Sequence, residues 1–97
     1  MLDFILLMHN DTASAVSSDM WEHYIASLRE RGVFVGGSAI GQGECVRKTE
    51  TAAPTTDHLS GFIRIRARNL SEAKQLVTGN PVFECGGTVE IRELPKT

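Results

Sequence analysis

The sequence predicts an α+β domain of order β-α-β-β-α-β, folded as a four-stranded antiparallel sheet with both helices on one face. Three observations carry that expectation. The chain opens on a strand that is apolar on both parities, each half contains a helix followed by a strand, and the stretch between the halves loses all periodicity. The 97 residues make one domain, residues 1–97, near the low end of the usual size range. Its core is correspondingly thin, and association with a second copy is the simplest supplement.

Residues 2–9 are nearly unbroken in apolarity, with Phe4, Ile5, Leu6, Leu7 and Met8 filling both faces. A strand buried on both faces is central in its sheet. His9-Asn10-Asp11-Thr12 then ends it in turn-forming residues. The first helix starts between Ser17 and Asp19, where Asp19 and Glu22 resemble an acidic capping box. Trp21, Tyr24, Ile25 and Leu28 fall at i, i+3, i+4 and i+7, one apolar stripe, and Gly32 supplies the stop.

Residues 33–40 read as a second strand loosened by Gly36 and Gly37. The segment 41–57, rich in Thr, Ala and Gly, reads as a long hairpin connection, and such loops are usually functional or disordered. Residues 59–67 form a third strand, with Ile63, Ile65 and Ala67 on one face and Phe62, Arg64 and Arg66 on the other. Ser71 is the expected cap of a second helix with the stripe Ala73, Leu76 and Val77; Gly79 ends it and Pro81 blocks its continuation. Residues 88–94 alternate as a fourth strand, Val89 and Ile91 against Thr88, Glu90 and Arg92. Right-handed crossovers then favour the ferredoxin-like arrangement with the first and third strands central.

One sheet face is left bare, carrying Phe62, Arg64, Arg66, Glu90 and Arg92 together with one parity of the first strand. Packing two such faces together would bury the apolar part and pair arginines with Glu90, so a homodimer enclosing a barrel is expected. A solvated Arg-Glu ladder is the plainer alternative.

The net charge of −2 argues against a nucleic-acid partner. No apolar run approaches the ~20 residues of a membrane helix. Residues 4–8 are too short for a signal peptide's apolar core and no basic segment precedes them, so a cytoplasmic protein is expected. Cys45 and Cys85 read as two reduced thiols, with a disulfide or reactive thiol as the alternative. No metal-ligand spacing, phosphate-binding glycine loop or Gly-x-Ser-x-Gly elbow is present, so no metal and no cofactor are expected.

The segments FILLMHND, WEHYIASLRERGVFVGGSAIG, LSGFIRI and GNPVFECGGTVEIREL, in that order, resemble the YCII-related family near its DGPF-domain branch. The resemblance spans most of the chain and is thinnest over residues 44–56. It implies a dimeric α+β barrel of bacterial origin and mostly uncharacterised function. The branch's Asp-Gly-Pro-Phe is absent; residues 54–58 read Pro-Thr-Thr-Asp-His instead. Family members often carry a His in the first helix as half of a His-Asp pair. Tyr24 occupies that register here, with His23 one residue off, and Asp11 is the counterpart of the Asp after the first strand.

The catalytic candidates are therefore His9, Asp11, Tyr24 and His58. His9 and Asp11 stand where the central strand opens into its loop, and His suits proton transfer near neutral pH. Turn chemistry for Asp11 and a half-buried, hydrogen-bonded His9 is the structural alternative. His58 opens the third strand, either at a barrel mouth or simply exposed. Trp21 and Tyr24 are more often core than ligand platforms. Arg47, Arg64 and Asn80 are the substrate-binding candidates, the arginines toward an anion, against the commoner outcomes of solvated charge and turn geometry. A small-molecule enzyme using acid–base chemistry is the preferred expectation, and a non-catalytic binding or interaction module the alternative.

Overall fold

The computed structural model describes residues 1–96. It contains β1 (Leu2–His9), α1 (Ser18–Glu30), β2 (Phe34–Ala39), β3 (Leu59–Ala67), α2 (Leu70–Gln75), α3 (Pro81–Glu84) and β4 (Val89–Leu94). The strands form one sheet in the order β2-β3-β1-β4, every neighbouring pair antiparallel. The α+β architecture and antiparallel sheet agree with the sequence expectation, and a ferredoxin-like arrangement fits the strand order.

β1 is sandwiched between β3 and β4, and its two parities divide cleanly. Phe4, Leu6 and Met8 are buried toward the helices, while Ile5, Leu7 and His9 are half-buried on the opposite face. Ile63, Ile65 and Ala67 of β3 join the helix side, with Tyr24 and Leu28 of α1 and Leu76, Val77 and Val82 above them. Each of the larger buried apolar side chains contributes about 1.5–3 kcal/mol by leaving water. This single cluster is the core.

The helix ends correct three expectations. Ser17 caps α1, its Oγ accepting from the Met20 N–H at 3.3 Å. α2 is capped not by Ser71 but by Asn69, whose Oδ1 accepts from Glu72 N at 2.9 Å. Asn and Ser are comparable caps, and the extended backbone at Asn69 decides between them. Gly32, with φ of 71°, takes the left-handed conformation that stops α1. α2 already ends at Gln75 with Leu76 as its cap, so Gly79, with φ of 92°, closes the turn after the helix and not the helix itself. Pro81 does more than block continuation. It opens α3 at the first position, where its missing N–H costs nothing, and Asn80 caps that turn through Val82 N and Phe83 N.

Tyr24 belongs to the core, 4% exposed, with its hydroxyl donating to the Leu76 carbonyl at 2.7 Å. Burial pushes its pKa up to about 12, with the Asn80 side chain and Arg31 pulling the other way. Asn80 Nδ2 nevertheless finds no well-formed partner, so the Leu76 bond is the one that holds the phenol. Because the folded pKa lies above the ordinary 10.0, the buried neutral phenol stabilises the fold fully below pH 10, and that contribution fades as pH rises through about 12. Tyr24 is the only tyrosine, so ultraviolet titration reads it alone. Ionisation is expected near pH 12 or together with unfolding; a midpoint near 10 with the fold intact would place Tyr24 outside the core. Tyr24→Phe, which leaves the Leu76 carbonyl without its donor, is expected to cost about 1–2 kcal/mol in denaturant unfolding.

Candidate functional site

β1 leaves the sheet at His9, and the polar groups around that exit come from three chain segments. The β1–β3 register slips between Met8 and His9, so that His9 stands opposite Leu59. His9 N donates to the Thr88 carbonyl at 2.9 Å and Asn10 N to the His58 carbonyl at 2.6 Å, which holds the exit between the start of β3 and the start of β4. On the open face His9 Nε2 lies 3.0 Å from Glu90 Oε1, and the His58 ring meets the His9 ring edge-on with centroids 5.0 Å apart. Arg92 donates to the other Glu90 oxygen at 3.3 Å. The result is a row, His58–His9–Glu90–Arg92. The His9 hydrogen bond, and secondarily that of Arg92, hold the Glu90 carboxyl below its ordinary value.

Asp11 is engaged elsewhere. The Thr88 backbone N–H and hydroxyl donate to its two carboxylate oxygens at 2.8 and 2.7 Å, and these bonds lower its pKa. Around this clamp Ala13 and Ser14 donate backbone bonds to the Cys85 carbonyl. Asp11 therefore fastens the loop after β1 to the approach of β4, and Glu90 is the carboxylate in contact with His9.

Beside the exit, between the first half of α1 and the β2–β3 end of the sheet, lies a cleft of about 630 Å³. Trp21, Ile25, Phe34 and Val82 wall it, Thr12, Ser17 and Ser60 bring hydroxyls, and His9 and Asn10 stand among its lining residues. Gly37 and Gly61 are part of this lining. A side chain at Gly37 would bring its Cβ within 2.6 Å of the Phe62 carbonyl oxygen, a contact backbone cannot relieve cheaply.

The remaining candidates lie away from the exit. Tyr24 is core. Asn80 is fully buried as the cap of α3. Arg64 is exposed on the open face opposite Ile5, and Arg47 pairs with Glu50 at 4.0 Å within the long loop. Of the sequence candidates, His9 and His58 come together. Glu90 was missed as a site residue because its contact with His9 spans 81 positions of sequence. Parity placed Glu90 on the bare face, but the pairing of Leu7 with Glu90 sets its height along β1, and that register is invisible in either strand alone.

No protein-family model matches the chain, and no curated protein matches it. What the site can do must come from its own chemistry. Among the described residues no group of three or more His, Cys, Asp or Glu side chains is disposed to hold a metal ion. Cys45 is exposed and Cys85 buried, both free thiols. No helix among the described residues is long and apolar enough to cross a membrane.

The clamp carries a pH prediction. With its folded pKa below the ordinary 3.8, Asp11 stabilises the fold above pH 3.8 and loses that contribution as pH falls through the folded value. Thr88→Val removes the hydroxyl that contributes most to the shift, so acid unfolding followed by circular dichroism is expected to begin at higher pH. An unchanged acid midpoint would show that the clamp does not hold the loop.

Proposed function

We propose that this chain is a homodimeric small-molecule enzyme whose own side chains perform acid–base chemistry at the exit of β1. The supporting observation is the His9–Glu90 contact beside a cleft whose lining includes His9. With Nε2–H donating to the Glu90 carboxylate, neutral His9 carries its lone pair on Nδ1, the ring nitrogen left for a ligand. His9 would take a proton from substrate at Nδ1 and return it at a second position, while Glu90 fixes the tautomer and steadies the imidazolium. His58, edge-on to His9, limits the ring's rotation.

The dimer is proposed from the open face. Ile5, Leu7, Phe62 and Leu94 sit half-buried there, flanked by Arg64, Arg66 and Arg92 and by Asp3 and Glu90. Two such faces packed together remove apolar surface from water and offer each arginine a carboxylate. The resemblance to the YCII-related family supports the same assembly, though here Glu90 rather than Asp11 serves His9. Apolar side chains at the centre of the bare face also suit a non-catalytic dimeric module, and activity separates the two readings.

Screens for isomerisation, hydrolysis and oxygenation are expected to find a turnover that His9→Ala lowers by about 10²–10⁴-fold, the usual worth of a positioned acid–base group. Glu90→Gln should lower kcat with little change in KM. Ligand binding that is indifferent to His9→Ala, with no turnover in any screen, would favour the module. Light scattering should give a dimer for the native chain and a monomer for Phe62→Glu; a native monomer at micromolar concentration would remove the barrel.

A further inference from the structure

The cleft itself points to a class of ligand. Its lining contains no Asp, Glu, Lys or Arg, and His9 is the one ionisable residue in it. Its walls are the indole of Trp21, the ring of Phe34 and the aliphatic side chains of Ile25 and Val82. Several hydroxyls are already committed to the protein. Ser60 Oγ donates to the Met8 carbonyl, Ser38 Oγ donates to the Ala39 carbonyl, and Ser17 Oγ accepts from Met20 N. The arginines once suited to an anion are elsewhere, Arg64 on the open face and Arg47 paired in the long loop.

A charged ligand entering this cleft would lose part of its hydration and find no Asp, Glu, Lys or Arg in the lining to replace it, a cost that disfavours it against a neutral one. A neutral apolar molecule loses little and covers the walls. A volume of about 630 Å³ lies inside the range of sites that enclose drug-sized molecules. On the sheet side of the lining Gly37 and Gly61 let β2 and β3 approach closely, and at Gly37 no side chain fits without moving β3 backbone. Trp21, Phe34 and Phe62 put three aromatic residues into the lining, a composition that suits a ring system.

We propose that the cleft takes an uncharged, largely apolar, ring-containing molecule with one weakly acidic O–H or C–H directed to His9. The proposal rests on the acid–base reading for that last group only; the preference for a neutral, apolar body stands on the lining alone.

Trp21 is the only tryptophan, so its indole N–H gives a single side-chain reporter inside the cleft in ¹H–¹⁵N spectra. Titration with 2-naphthol is expected to move that signal saturably, with a Kd at least tenfold lower than that of naphthalene-2-sulfonate, an anion on the same ring system. Val16→Phe, which narrows the cleft from the loop side, should weaken 2-naphthol at least tenfold with the rest of the spectrum preserved. Equal or tighter binding of the sulfonate would overturn the proposal, as would absence of saturable movement with 2-naphthol. His9→Ala separates the two levels. If the neutral preference persists there, the ligand class holds whatever the fate of the catalytic reading; if the preference disappears with the imidazole, the lining does not set it and the proposal falls.

Discussion

Everything in this fold depends on β1 being paired on both edges and buried on one face beneath the helices. Its residues Phe4, Leu6 and Met8 are each at most 3% exposed, and a slip of one residue would turn them out and bring Ile5, Leu7 and His9 in. The register with β3 and β4 is thus fixed by the core, not by the polar groups at the strand's end. Those groups inherit their positions. Leu7 opposite Glu90 and Met8 opposite Val89 set the height at which Glu90 reaches His9. The site takes its geometry from that register.

The same strand also separates two environments. Its helix-facing residues join one continuous core, and the cleft opens where that layer thins toward Gly37, Gly61 and the first half of α1. Its other parity belongs to the open face, where apolar side chains alternate with arginines and carboxylates. His9 stands where the two environments meet, half-buried, on the open-face parity yet among the residues lining the cleft. A proton-transfer group benefits from that position. It is held by a carboxylate on one side and stands among the residues lining a largely apolar cleft on the other.

Much of the architecture was legible because it rests on local pattern. The doubly apolar run of β1 and the alternation of β3 gave both strands their limits, Leu2–His9 and Leu59–Ala67. The Trp21, Tyr24, Ile25 and Leu28 stripe gave α1 its inward side. The caps were less legible, since Asn69 and Ser71 are similar in chemistry and only backbone conformation chose Asn69. Pro81 read as a terminator, yet α2 already ends at Gln75 and Pro81 instead begins α3, with Asn80 as its cap, a signal only a few residues long. The partner of His9 was least legible. Asp11 lies two residues from His9 and so drew attention, whereas the geometry of the turn sends it to Thr88 and long-range register delivers Glu90.

The registration of β4 against β1, and with it the His9–Glu90 contact, is open to direct measurement by ¹³C-detected titration of the side-chain carboxyl of Glu90. In the native protein its midpoint should lie below the ordinary 4.5, because His9 and then Arg92 hydrogen-bond its charged form, and in His9→Ala it should move back up. A midpoint at 4.5 that ignores the substitution would mean that Glu90 and His9 do not meet, and the site built on their contact would not exist.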